Sequence, residues 1–261
     1  MERHPMPDIM PVLFVGHGSP LNAIEDNEFN KAWATVAKTL PKPRAILSIS
    51  AHWETAGTRV TAMTQPATLY DFQGFPQGLY EKRYPAPGAP ELARSIKQAI
   101  SDTVVHLDFS WGLDHGTWSV LSRMYPEAEI PVLQLSLDFD KPPVLHYQLG
   151  QKLKYLRNQG VLIIGSGNMV HNLKAMVWED TAFDWAREFD AKLAALILAG
   201  DHQDLVSFET LGNSAHRAIP TSEHFLPLLY VLAMIEKSDK ISFFCEKVTL
   251  GSISMRSLKL G

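Results

Sequence analysis

The chain has 261 residues, 46% hydrophobic and 20% charged, with a formal net charge of −4. That is the balance of an ordinary globular protein, and it leaves no basic footprint for nucleic acid or an anionic membrane surface. Ten histidines stand against a single cysteine, Cys245, which excludes an internal disulfide framework and a thiolate-rich zinc site. The first residues do not read as a signal peptide and no apolar run is long enough to span a bilayer, so a cytoplasmic protein without a membrane partner is expected.

In chain order, the first apolar run bounded by turn residues is Pro11–Val15, a buried strand. Asn27 is a good N-cap for a helix over Glu28–Leu40, which Pro41 stops. Ala45–Ser50 is a second buried strand, and Arg59–Met63 alternates as a further one. Prolines and glycines are densest over Phe72–Pro90. A helix over Ala89–Ile100 carries Pro90 at its start, where proline is tolerated. Val104–Leu107 reads as a short strand, Gly116–Met124 as a helix and Ile130–Leu137 as a buried strand. The helix over Pro143–Asn158 ends in Gln159-Gly160 and runs into a strand over Val161–Ile164. Helices over Ala182–Ala199 and Glu223–Ile235 follow, and Ile241–Val248 with Ser252–Lys259 reads as a hairpin around Gly251. Strands alternating with helices predict one α/β domain over residues 1–261, three layers deep (αβα), with a mixed, mostly parallel central sheet.

Three of these strands run into a histidine: His17 in Gly16-His17-Gly18, His52 in Ser50-Ala51-His52, and His171 in Gly167-Asn168-Met169-Val170-His171. In open α/β sheets ligands bind outside the carboxyl ends of the strands, so the three side chains can converge there. Imidazole suits zinc, iron and copper. Each histidine taken alone also reads as a loop residue bonded to backbone. His115 lies at a loop–helix junction beside Asp114, itself readable as an N-cap. Glu223 and His224 fall in a helix's first turn if Thr221 or Ser222 caps it, where Glu223 also complements the helix dipole. The nucleophile elbow, the dinucleotide fingerprint, the P-loop and the His-Glu-x-x-His motif do not occur. His4, His106, His146, His202 and His216 read as structural or surface residues, and Trp33, Trp178 and Trp185 as packing. Trp53, Trp111 and Trp118 stand beside the candidate histidines and read either as pocket walls or as core.

Five segments occur in order: Gly16-His17-Gly18-Ser19-Pro20, Ser50-Ala51-His52-Trp53, Asp114-His115-Gly116, Gly167-Asn168-Met169-Val170-His171-Asn172, and Glu223-His224-Phe225-Leu226-Pro227. Together with Asp71-Phe72-Gln73-Gly74-Phe75-Pro76 and Tyr84-Pro85-Ala86-Pro87-Gly88, they make the chain resemble the DOPA extradiol dioxygenase family. The likeness is to the bacterial branch of that family, within the class III extradiol ring-cleavage superfamily, and it runs from Pro11 to the C-terminal strands.

The resemblance implies a mononuclear non-haem metal at the strand ends, Fe²⁺ for dioxygenase activity or Zn²⁺ as a bound ion. It implies that His17 and His52 bind the metal, that His171 is an acid–base group and a further candidate ligand, and that His115 lies near the substrate hydroxyls. The superfamily's two-histidine, one-carboxylate triad points to Glu223 as the remaining ligand, whereas the DOPA branch points to His224. Helix neighbours diverge by about 100°, so one of the two is expected, and His224 is preferred. The implied reaction inserts both atoms of O₂ into a catechol such as DOPA and gives a ring-opened semialdehyde, with Trp53 and Trp118 walling the ring. No segment reads as a dedicated clamp for an amino-acid substituent. Two other functions fit the same residues: a zinc-dependent hydrolase, with bound water brought to a pKa of about 7, and a non-catalytic zinc-binding protein with a closed shell.

Overall fold

The structure is a computed structural model and describes residues 9–261, so His4 lies outside the described residues. The chain begins with β1 (Val12–Gly16), α1 (Glu28–Thr39), β2 (Ala45–Thr55), β3 (Thr58–Thr61) and β4 (Ala67–Thr68). It continues through α2 (Gln77–Glu81), α3 (Pro90–Ala99), β5 (Val105–Asp108), β6 (Gly112–Leu113), α4 (His115–Met124) and β7 (Val132–Asp138). Next come α5 (Pro143–Leu153), β8 (Val161–Gly167), α6 (Asp184–Ala199), α7 (His202–Val206), α8 (Asn213–Ala218) and α9 (Leu226–Leu232). Four strands close the chain: β9 (Ile241–Phe244), β10 (Val248–Thr249), β11 (Ile253–Ser254) and β12 (Ser257–Leu260).

Eight strands form one sheet in the order β5-β3-β7-β2-β8-β1-β12-β9. The central four, β7, β2, β8 and β1, are parallel. β12 and β9 add antiparallel at one edge, and at the other β3 meets β7 antiparallel and β5 parallel. The central strands are covered on both faces and therefore read as continuous apolar runs. Their side chains alternate between faces. Leu13, Val15, Ile46, Leu162 and Ile164 pack with Trp33 of α1 and Trp118 of α4. Phe14, Leu47, Ile49, Leu133 and Ile163 face Ile96 of α3, Leu149 of α5, Phe189 of α6 and Val231 of α9. Three layers result, as expected.

Several boundaries differ from expectation. The C-terminal hairpin is two nested pairs, β9 with β12 and β10 with β11. Cys245 at φ +55° breaks the first strand, and Leu250 and Gly251, at φ +51° and +76°, turn the inner pair. The helix expected from Glu223 starts three residues later, at α9, with Pro227 in its first positions and no side-chain cap. Glu223 and His224 lie in the preceding turn, closed by Phe225 N–H and Leu226 N–H on Ser222 O, both at 2.9 Å. Strand β2 runs five residues past Ser50, through His52 to Thr55, and its register on β7 shifts between Ile49 and Glu54. Among the described residues no helix is long and apolar enough to cross a membrane.

Candidate metal centre

Sheet register brings the site together. Gly16 pairs with Gly167 and Ser50 with Ser166, so β1, β2 and β8 reach the same level before His17, His52 and the segment to His171. A side chain at Gly167 would put its Cβ 2.1 Å from the His224 carbonyl oxygen. Glycine there lets the 222–225 turn lie against β8, where Asn168 N–H donates to the His224 carbonyl at 2.9 Å. Asp114 caps α4 by accepting from Thr117 N–H at 3.0 Å, and Ser50 and Gln134 also donate to it. Buried and capped in this way, Asp114 fixes His115 as the first residue of the helix.

The structure gathers all five candidate histidines. The ring centroids of His17, His52 and His224 are mutually 4.9–5.3 Å apart. His115 flanks this trio beside His52, at 3.9 Å, and His171 stacks on His224 at 3.5 Å. Two sets of donor atoms fall within 4.8 Å of one another: His17 with His52 and His115, and His171 with Glu223 and His224. The wider ring spacing groups His224 with His17 and His52, and the choice among these sets turns on which nitrogens are free.

The hydrogen bonds decide that. Ser166 Oγ donates to Gly116 O at 2.6 Å, so it accepts from His17 Nδ1–H at 3.0 Å. Asp71 Oδ2 accepts from His115 Nδ1–H at 2.8 Å and lies 3.6 Å from His52 Nδ1. Glu223 Oε1 accepts from His224 Nδ1–H at 3.0 Å and from Thr221 Oγ1 at 2.9 Å. The Nδ1–H groups of His17, His115 and His224 are thus committed to oxygens, which leaves their Nε2 lone pairs for the site. His17 Nε2 and His52 Nε2 stand 3.0 Å apart. With the His17 Nε2 lone pair facing His52, two ring nitrogens this close share a proton or a cation, so the donor set fits a metal ion. Glu223 faces His224 as its hydrogen-bond partner, which makes it the orienting group of a neighbouring ligand candidate.

Electrostatics agree with neutral imidazoles. Burial, and then the neighbouring histidines, hold His17 and His224 well below the usual 6.5. Burial and His115 lower His52 to about 3 against the pull of Asp71. Burial lowers His171 to about 4 although Glu223 opposes it. Burial alone would raise the Asp71 carboxyl, but its bonds to His115 outweigh that and hold it below its ordinary value.

The histidines floor a cavity of about 310 Å³. Its aromatic walls are Phe72 and Phe75, with Leu173, Met176 and Trp178 toward solvent. Trp53 and Trp118 do not line it. Trp53 is buried and stacks on Trp111 at 5.6 Å, and Trp118 is buried with its Nε1–H on Leu69 O. Trp178, expected in packing, is 66% exposed. His146 bonds Tyr230 and His202 bonds Tyr147, both away from the site. No sequence signal gave Asp71, Phe72 or Phe75 a role of its own, although all three stand in a segment that carries the resemblance.

The model of the family described as the catalytic LigB subunit of aromatic ring-opening dioxygenase matches residues 11–255. A 4,5-DOPA dioxygenase extradiol of Escherichia coli K12 is 44% identical, covering 97% of this chain and 95% of that protein. The 4,5-DOPA dioxygenase extradiol of Beta vulgaris is 38% identical, covering 97% of each. A crystal structure of an uncharacterized Escherichia coli K12 protein superposes with a TM-score of 0.85 at 40% identity, over 97% of this chain and all of that one. A three-layer sheet, a histidine cluster at its strand ends and these matches lead to one assignment: the chain belongs to the LigB family and is a class III extradiol dioxygenase, an enzyme that opens the ring of a catechol.

Proposed function

We propose that residues 1–261 act as one catalytic domain in which His17, His52 and His224 hold a single Fe²⁺. The observation that carries this reading is the pair of facing Nε2 atoms, His17 and His52, at 3.0 Å. The near-equal ring spacing to His224 supports it as the third ligand, and the Glu223 bond to its Nδ1 supports Glu223 as the residue that orients it. The same imidazoles suit Zn²⁺, which is redox-inert and would leave the protein inactive toward catechols. When bound, the ferrous ion would supply a Lewis-acidic centre for the catechol oxygens and the redox chemistry by which O₂ adds to ring carbon.

The remaining steps fall to side chains. His171 is neutral at pH 7 and lines the cavity, so it takes a hydroxyl proton of the catechol. His115 has its Nδ1–H committed to Asp71, which leaves Nε2 to accept from the second hydroxyl. Phe72 and Phe75 flank the ring and exclude water from it. Both oxygen atoms of O₂ end in a ring-opened semialdehyde, the ring chemistry that a DOPA-type substrate undergoes. A cytoplasmic setting accords with the lone cysteine.

The test is anaerobic reconstitution with Fe²⁺, followed by a catechol panel read for oxygen uptake and yellow ring-fission product. One O₂ consumed per catechol is expected, with both lost in His171→Ala. No oxygen uptake from iron-loaded protein with any catechol would overturn the reading.

A further inference from the structure

We infer that Ser166 is a positioning residue of the metal centre: its hydroxyl, given a direction by the Gly116 carbonyl, fixes His17 in the tautomer that presents Nε2. This rests on the reading that His17 is a metal ligand. Ser166 lies on β8, one residue before Gly167, and is fully buried. Its hydroxyl has one proton and two polar neighbours. Gly116 O, at 2.6 Å, can only accept, so the proton is spent there. The oxygen is left to accept, and it faces His17 Nδ1 at 3.0 Å. His17 is itself buried, so bulk water does not compete for that nitrogen. The opposite tautomer would set an Nδ1 lone pair against the serine oxygen. It would also turn an Nε2 proton toward His52, where a metal needs a lone pair.

The other Nδ1 bonds of this kind, from His115 and His224, end on the carboxylates Asp71 and Glu223. An ionised carboxylate can only accept, whereas a hydroxyl serves either way, so Ser166 depends on Gly116 for its polarity. Gly116 is held closely in place. A Cβ there would lie 2.6 Å from Ser50 Oγ and 3.0 Å from His52 Cδ2. The first turn of α4 therefore carries His115 with one residue and directs His17 with the next.

Two readouts test this on the full chain. Imidazole ¹⁵N NMR of the metal-free parent at pH 8, with His17 assigned by its loss in His17→Ala, reads the tautomer whether or not any serine variant folds. A proton on Nδ1 is expected, and a proton on Nε2 overturns the inference. Titration with Co²⁺, followed by its d–d absorption, then reads the metal affinity. Ser166→Ala is expected to weaken binding by about 10–100-fold. Ser48→Ala is the control for a lost buried hydroxyl, since Ser48 is equally buried and bonds Thr117 Oγ1 at 2.7 Å. It is expected to lower Tm yet bind Co²⁺ as the parent does. Parent-like affinity in Ser166→Ala overturns the inference, and so does an equal loss in Ser48→Ala, which would trace the effect to loosened packing. His17→Ala tells the two readings apart. If it binds Co²⁺ as tightly as the parent, His17 is no ligand and the metal-centre reading fails together with the inference. If it loses the metal while Ser166→Ala keeps it, the inference alone fails.

Discussion

Asp71 controls two imidazoles with one carboxylate. Its Oδ1 accepts the His115 backbone N–H at 2.8 Å, while its Oδ2 accepts His115 Nδ1–H and faces His52 Nδ1. Asparagine keeps the shape but turns one of these acceptors into a donor, so one imidazole must change tautomer. Asp71→Asn is therefore expected to lower kcat/KM by about 10–100-fold, with a displaced pH–rate profile and weakened iron retention. Steady-state kinetics across pH and metal analysis check this, and an unaltered profile would refute the positioning role. The depressed imidazoles also make stability depend on pH. His52 and His171 protonate near 3 and 4 in the fold but near 6.5 when unfolded. Above pH 6.5 neither state carries the proton, and the contribution is constant. Below it, the unfolded chain takes up protons that the fold refuses, so stability falls until pH drops through the folded values. Metal-free protein should thus lose on the order of a few kcal/mol between pH 6.5 and 4, visible as a falling Tm, whereas a flat Tm would contradict the burial of these rings. At this scale the histidines were legible, because each of His17, His52 and His171 closes an apolar run. Asp71 was not, since its partner lies 44 residues away in sequence. Trp53 misled for a simple reason: adjacent strand residues point to opposite faces, so a site-facing His52 sends Trp53 away from the site.

The turn before α9 is as important as any strand, because it carries His224 and Glu223. Its placement depends on the absence of a side chain at Gly167, whose Cβ would meet His224 O at 2.1 Å. In Gly167→Ala the turn must move away from β8, which breaks the Asn168 N–H bond to the His224 carbonyl and withdraws His224 from His17 and His52. The expected cost is about 1–3 kcal/mol in urea denaturation, with iron affinity and kcat both reduced. Full iron loading in this variant would remove His224 from the ligand set. The sequence pattern found the helix but not its start, since Thr221 and Ser222 are better caps than Phe225. Pro227 and the packing of the turn on β8 prevailed over that local preference. The C-terminal strands failed similarly. Their apolar alternation was readable, but the left-handed residues that split them, Cys245 and Leu250, are types that give no such warning.

Across the whole molecule, the α/β class followed from alternating elements, while strand order did not, because pairing such as β1 with β12 joins the two ends of the chain. A buried ion pair reinforces that closure. The Arg157 guanidinium donates to Asp239 at 2.6 and 2.8 Å, to Met10 O at 2.8 Å and to Met234 O at 2.7 Å. The Arg157 and Asp239 side chains are 1% and 4% exposed, so neither has water to fall back on. Arg157→Ala strands a buried carboxylate and two carbonyl groups, at an expected cost of about 3–5 kcal/mol. Arg157 lies before the N-terminal end of β8, and the histidines gather at the opposite ends of the strands. The kcat of the iron-loaded, folded variant should therefore stay at the wild-type value while its Tm falls. Arg157→Met combined with Asp239→Leu removes both charges together and should recover most of the lost stability, because the penalty comes from the unpaired partner more than from the missing pair. Denaturation of the two variants beside the parent protein separates these terms. A double variant no more stable than Arg157→Ala would show that the bonds to Met10 and Met234, rather than the ion pair, tie the ends of the chain together.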